Sequence, residues 1–146
     1  MMQLTQHSAV LGVASAGEAV VMLDASHSAR PHQRKIFELA QHVLGQLPGS
    51  VGRKLYFLGN SEPYDPAQLS TRSAQWLHEN FGRTSLLGPV MRRLDPSAPT
   101  KIIVLGAGRI FDLDDWAEHP LFARLALVAC GEPLQPSFSR SVRKWL

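Results

Sequence analysis

The chain has 146 residues, a length that suits one domain and leaves little room for a second. Apolar residues make up 45% and charged residues 18%, so the chain can bury a core and is not an intrinsically disordered protein. The formal net charge of +3 comes entirely from Arg140, Arg143 and Lys144, which excludes a broad basic face for nucleic acid in the rest of the chain.

Cysteine content and hydropathy set the expected compartment. Cys130 is the single cysteine, which excludes an internal disulfide and a cysteine-based zinc site and favours a reducing compartment. No apolar run approaches the roughly 20 residues of a membrane-spanning helix, and the N-terminus lacks the features of a secretory signal. We therefore expect one cytoplasmic domain over residues 1–146, either a whole protein or a segment of a longer polypeptide.

Five apolar runs predict β-strands, and in chain order they span residues 8–14, 19–23, 54–58, 101–105 and 125–129. The last four do not alternate strictly between apolar and polar residues, so they are typical of parallel strands covered on both faces. The short Ala16-Gly17 link predicts a hairpin, which would make the first run an antiparallel edge strand.

Helical stretches separate these runs, and the apolar spacing predicts helices over residues 31–47, 66–82 and 85–94. We also expect a short acidic helix within residues 112–122 and a short basic helix over residues 137–146. Strands that alternate with crossover helices predict an α/β fold. We expect a three-layer sandwich with a mainly parallel central sheet, an antiparallel edge strand and helices on both faces. Ligands of such sheets bind beyond the carboxyl ends of the strands, so the loops there are the candidate site.

Residues 24–28 read Asp-Ala-Ser-His-Ser and follow directly on the predicted strand 19–23. The carboxylate of Asp24 and the hydroxyls of Ser26 and Ser28 leave the strand end at alternate positions. Hard oxygen ligands suit Mg²⁺ or Mn²⁺ better than zinc, so the pattern predicts a divalent-cation site. Asp and Ser are also favoured at helix caps and turns, and loop closure is the alternative explanation.

Asp24, Ser26 and Ser28 match the Asp-x-Ser-x-Ser signature of the von Willebrand factor type A domain, which the chain resembles over residues 18–132. That family has a threonine in a later loop before a helix, and Thr84 stands at a suitable point. The resemblance implies that the two serines and the threonine coordinate the ion, directly or through water, while the aspartate anchors ions or waters.

The chain departs from the family after the strand 101–105. The family commonly has an aspartate there, whereas this sequence has Gly106-Ala107-Gly108 and no carboxylate until Asp112. Either the site is incomplete, or Asp112 or Asp114 supplies the missing group. Because one carboxylate fewer means less negative charge to hold a dication, we expect weak affinity.

The resemblance implies a non-catalytic module that binds a protein partner through the loops 24–30, 59–66, 82–85 and 106–112. An acidic side chain of the partner would complete the ion's shell. Family members of the intracellular bacterial type often work beside AAA+ ATPases, so such an ATPase, or another domain of the same polypeptide, is the implied partner. Nucleic acid and membranes are not expected partners. The alternative within the family is a degenerate scaffold that keeps domain contacts without the metal.

A metal- or nucleotide-dependent enzyme on a Rossmann-like fold is the alternative from another class. Gly106 and Gly108 resemble the start of a dinucleotide fingerprint, but Phe111 replaces its third glycine. The acidic residues 112–115 would also repel a pyrophosphate at the helix start. Hydrolase chemistry is disfavoured because the sequence has no Gly-x-Ser-x-Gly elbow to expose a nucleophile.

Overall fold

The described strands of this chain form one parallel sheet. The structure is a computed structural model, and it describes residues 2–4, 17–67, 69, 84–98, 100–106 and 110–130. The strands in chain order are β1 (Met2–Leu4), β2 (Glu18–Leu23), β3 (Gly52–Phe57), β4 (Thr100–Gly106) and β5 (Leu125–Ala129). They form one sheet in the order β1-β5-β4-β2-β3, and every described strand pair is parallel. The general α/β class is therefore confirmed.

β2 lies between β3 and β4 and is almost entirely buried. Its last residue, Leu23, stands opposite Phe57 of β3 and Leu105 of β4, so the three strands end at the same level. The chain moves from β2 to β3 on one side and then returns to β4 on the other side. This reversal makes the gap between the ends of β2 and β4 a topological switch point, the usual ligand position in open α/β sheets.

Helical segments pack against the two faces of β2. Their bounds are a 3-10 helix over His27–His32, α1 over Gln33–Gln46, α2 over Gly88–Met91, and 3-10 helices over Asp114–Trp116 and Pro120–Arg124. One buried cluster joins α1 to the face of β2 that carries Val21 and Leu23. A second joins α2 to the opposite face, which carries Val20 and Met22. Strands buried on both faces explain why these runs do not alternate in the sequence.

Two predicted helices differ in the structure from the sequence prediction. The helix predicted over residues 85–94 is reduced to the four residues of α2, because the carbonyls of Ser85 and Leu86 accept the N–H groups of Phe111 and Gly59 in other loops. In place of the short acidic helix predicted within residues 112–122, the structure has two 3-10 segments. Pro120 lacks an N–H and begins the second of them, which is capped by the Nδ1 atom of His119 accepting from the N–H of Leu121 at 3.2 Å.

Several predictions fall on parts of the chain outside the described residues: the strand 8–14, most of the helix 66–82 and the helix 137–146. The predicted antiparallel edge strand is not confirmed, because both edges of the described sheet, β1 and β3, pair in parallel. β1 itself was not predicted. Among the described residues, no helix has the length and apolar content needed to cross a membrane.

Candidate functional site

Asp24 is the residue directly after β2, at the switch point. Its backbone N–H still donates to the carbonyl of Leu105 on β4 at 2.9 Å, so the strand ladder holds the residue in place. Its side chain is only 1% exposed. A carboxylate at this depth is costly unless other groups or an ion compensate its charge, so its partners are informative.

The two carboxylate oxygens of Asp24 have different surroundings. Oδ1 accepts the backbone N–H of Ser26 at 3.0 Å and the hydroxyl of Ser85 at 2.9 Å. Oδ2 is buried and has no hydrogen-bond partner in the part of the chain that the structure describes. It faces Gly106 at the end of β4, where a Cβ atom would lie 3.6 Å from it. Asp24 therefore has an acceptor oxygen available at the switch point.

Two hydroxyls accompany this carboxylate. The Oγ atoms of Ser26 and Ser28 lie 3.0 Å apart and share a hydrogen bond, and the carbonyl of Ser26 accepts the N–H of Ala29 at 3.1 Å. Ser26 is buried, with 8% of its surface exposed, whereas Ser28 is exposed. The loop thus offers one inner and one outer hydroxyl within a single turn of Asp24.

Thr84 and Ser85 lie in the loop before α2. Thr84, the predicted ligand, is exposed, and its carbonyl accepts the N–H of Leu86 at 2.9 Å. The hydroxyl that reaches Asp24 belongs to the next residue, Ser85, which is 1% exposed. The sequence interpretation missed Ser85. The sequence held no signal for this choice, because Thr84 and Ser85 are both hydroxyl residues and a shift of one position decides which is buried.

Asp112 uses both carboxylate oxygens within the protein. Oδ1 accepts the N–H of Leu87 at 2.7 Å, and Oδ2 accepts the N–H of Gly88 at 2.9 Å and the indole N–H of Trp116 at 3.2 Å. It therefore satisfies backbone donors at the start of α2, as an N-terminal cap does. None of the described hydrogen bonds joins its carboxylate to Asp24, Ser26 or Ser28. Its neighbour Asp114 is exposed, and a ligand role for either stays a prediction.

The segment 84–86 ties the surrounding loops together. The carbonyl of Leu86 accepts the N–H of Gly59, which follows β3, and the carbonyl of Ser85 accepts the N–H of Phe111. Gly59 has a φ of +80°, and a methyl group there would overlap the Thr84 carbonyl. This segment begins in the predicted binding loop 82–85. The other three predicted loops contact it through Asp24, Gly59 and Phe111.

The described residues give less support to a metal cluster of His, Cys, Asp or Glu side chains or to a cysteine nucleophile. They contain no group of three or more His, Cys, Asp or Glu side chains suited to a metal ion. A site built on Ser hydroxyls and one carboxylate differs in kind from such a group. Cys130, at the end of β5, is buried, and burial followed by the charge of Asp24 raises the pKa of its thiol to about 12. The thiol is therefore not a nucleophile at neutral pH.

No protein-family model matches this chain, and no match was found among curated proteins or solved structures. Function is therefore inferred from the residues at the switch point. The distinguishing observation there is the buried Oδ2 atom of Asp24 without a hydrogen-bond partner.

Proposed function

We propose that the chain is a non-catalytic protein-binding module of the von Willebrand A type, folded as a three-layer sandwich, that uses the loop face around Asp24. A divalent cation, Mg²⁺ or Mn²⁺, would be held by Asp24, Ser26 and Ser28, with Thr84 as a further predicted ligand. The observation that carries the proposal is the free Oδ2 acceptor of Asp24 in the described residues.

The donor set fits a small hard cation. Asp24 supplies a carboxylate oxygen, and Ser26 and Ser28 supply hydroxyl oxygens from the same turn. Magnesium prefers oxygen ligands and usually keeps several waters, so few protein ligands suffice. The Oδ2 atom is buried beside Gly106, where an added Cβ atom would lie 3.6 Å from it. With a single carboxylate in the set, we expect weak affinity.

A second Asp-x-Ser turn shows that the shape of the loop alone does not indicate a cation site. Asp95 and Ser97 have the same spacing, and the carboxylate of Asp95 accepts both the N–H and the hydroxyl of Ser97, at 2.9 and 2.7 Å. These hydrogen bonds lower the pKa of Asp95, which lies at the surface. Turn formation therefore explains Asp95 fully. It does not explain why Asp24 is buried with one oxygen unpartnered.

The cation would take part directly in binding the partner protein. An ion at Asp24 gives the site a net positive charge, which favours a carboxylate of another protein as the remaining ligand. The partner would be a protein with an exposed acidic side chain, and an AAA+ ATPase or another domain of the same polypeptide is the class that the resemblance implies.

A metal-free scaffold is the second candidate, and Asp112 favours it. The carboxylate that would complete a family-type site is engaged with the start of α2. In that case the loop face would bind its partner by shape and hydrogen bonds alone, with no dependence on divalent ions.

Titration with Mg²⁺ and Mn²⁺ separates the two candidates. At an ion concentration about tenfold above Kd, binding to the folded state adds about 1.4 kcal/mol, which raises Tm by roughly 3–5 °C. We expect this shift in the unmodified protein and its loss in Asp24→Ala. Asp95→Ala is the matched control, because it removes a carboxylate from an Asp-x-Ser turn of the same spacing, and it should keep the shift. No shift at millimolar ion would refute the metal site.

A further inference from the structure

A cavity of about 360 Å³ lies between α1, the start of β3 and the chain beside Pro66 and Leu69. At about 30 Å³ for each water-sized group, it has room for about 12 non-hydrogen atoms, which is within the range of small-molecule sites. Arg53, the β3 residue in its wall, stands four residues before Phe57, which is level with the last residue of β2. The cavity is therefore about 13 Å along the strands from the level at which Asp24 begins.

The walls of the cavity are mainly apolar. Leu44 of α1 and Leu69 belong to the buried core on the α1 face of the sheet. The N–H of Leu69 donates to the carbonyl of Pro66 at 3.2 Å, and the side-chain amide of Gln41 donates to the carbonyl of Leu69, so this wall is joined to α1. Gly45 leaves space on the helix side, because a Cβ atom built there meets nothing within 4 Å. The apolar part of a ligand can occupy this space.

Two polar side chains line the same cavity, and each keeps part of its hydrogen-bonding capacity. Arg53 donates from Nη2 to the carbonyls of Leu47 and Pro48, at 2.8 and 3.4 Å, which fixes the guanidinium at the end of α1. Its Nε and Nη1 atoms donate to no acceptor among the described residues. Gln41 uses its Nε2 atom in the bond to Leu69, and its Oε1 atom accepts none of the described hydrogen bonds. The cavity thus offers a ligand both a donor and an acceptor.

The charges around the cavity favour an uncharged ligand. The guanidinium of Arg53 lies against the last carbonyls of α1, whose partial negative charge offsets part of its own. Asp65 is exposed, and its carboxylate accepts the N–H of Ala67 in the cavity wall at 3.0 Å. Glu38, the acid of α1, is paired with Lys35 at 3.4 Å. A ligand with a full negative charge would be repelled by Asp65, and one with a full positive charge by Arg53.

We propose that this cavity binds a small, mainly apolar molecule that carries one carboxamide group. The carbonyl oxygen of the amide would accept from Arg53, its N–H would donate to Oε1 of Gln41, and the apolar part would fill the space beside Gly45. A carboxylate has no donor for Gln41, and an ammonium has no acceptor for Arg53. This site goes beyond the proposed function and does not depend on a cation.

Titration of the full ¹⁵N-labelled chain with 4-phenylbutanamide, followed by nuclear magnetic resonance, tests the site. This probe has about 12 non-hydrogen atoms, and a fragment of that size reaches a Kd of about 1 mM. We expect saturable shift changes at the backbone amides of residues 41–45, 53 and 66–69. The matched probes 4-phenylbutanoate and 4-phenylbutylamine keep the apolar skeleton and carry a charge. Each should bind about tenfold more weakly, because each lacks one of the two hydrogen bonds.

Gly45→Leu is the variant that fills the cavity. It should abolish the saturable shifts and keep the Tm, because the added side chain enters open space and Leu favours a helix more than Gly does. Gly49→Leu is the matched control. A Cβ atom there also meets nothing within 4 Å, but the residue lies outside the cavity, so binding should stay normal. Arg53→Met removes the guanidinium and should weaken binding of the amide about tenfold.

Each contrary outcome overturns a stated part of this inference. Equal binding of the three probes, or tighter binding of 4-phenylbutanoate, would overturn the carboxamide as the ligand class. Full binding by Gly45→Leu, or no saturable shift with the amide up to about 10 mM, would overturn the site itself. Asp24→Ala should bind the amide normally, so failure of this site and failure of the cation site are distinguishable.

Discussion

The buried hydroxyl of Ser85 holds the carboxylate of Asp24, and this contact makes a residue-level prediction. A hydrogen bond to a charged group stabilises a protein by about 1.5–3 kcal/mol, so Ser85→Ala should lower the free energy of unfolding by that amount. Thr84→Ala is the matched control, because it removes a hydroxyl from the exposed neighbouring position and should cost less than about 0.5 kcal/mol. Urea unfolding measures both. Equal losses in the two variants would contradict this assignment.

Gly59 is a residue whose identity its backbone conformation requires. Its φ of +80° disfavours any residue with a Cβ atom, and that atom would overlap the carbonyl of Thr84. We expect Gly59→Ala to destabilise the fold by about 2 kcal/mol or more. Gly49→Ala, where a Cβ atom meets nothing within 4 Å, is the control and should change the free energy of unfolding little. Similar urea midpoints for the two variants would rule out this steric account.

At the scale of single residues, the sequence predicted where the loop lies and only part of its contacts. The positions of Asp24 and Ser26 were predictable because a carboxylate and a hydroxyl follow a buried strand, whereas their role as ion ligands stays a prediction. Ser85 was not predictable, since Thr84 and Ser85 are both hydroxyl residues and a shift of one position decides which side chain points inward. That direction depends on the hydrogen bonds of Ser85 and Leu86 to other loops, which sequence spacing does not record.

Among the elements, α2 depends on Asp112 for its first turn. Loss of a helix cap costs about 1–2 kcal/mol, so Asp112→Ala should destabilise the protein by that amount, whereas Asp114→Ala, at an exposed position, should not. Because the carboxylate is engaged at α2, we expect Asp112→Ala to leave Mn²⁺ affinity unchanged. Electron paramagnetic resonance of Mn²⁺ checks this, and a large loss of affinity would identify Asp112 as a ligand after all.

The accuracy of the element predictions follows from how local each signal is. β2 to β5 and α1 were predictable because long apolar runs and helical spacing are properties of the segment itself. α2 was overestimated because apolar spacing continues through residues 85–94 while loop hydrogen bonds and Pro89 restrict the helix to its centre. Tertiary contacts decided the bounds there.

For the whole molecule, the sequence indicated a parallel sheet but not the order of its strands. Whether β4 lies beside β2 or beside β3 depends on which face of the sheet each connection crosses. The observed order places Gly106 next to Asp24, where the buried Oδ2 atom has no hydrogen-bond partner among the described residues. The candidate site is thus a product of topology as much as of the Asp-x-Ser-x-Ser motif.

The global stability of the fold should depend on the ionisation of Cys130 in alkaline solution. Burial raises the pKa of this thiol to about 12, from its ordinary value of 9.0. Between these values the unfolded chain loses a proton that the native state keeps, so stability falls as pH rises. We expect a loss of about 1.4 kcal/mol from about pH 8 to about pH 10 that is absent in Cys130→Ala. Urea unfolding of both proteins in metal-free buffer isolates this difference from other titrating groups. Parallel pH profiles would show that the thiol is not protected by the folded sheet.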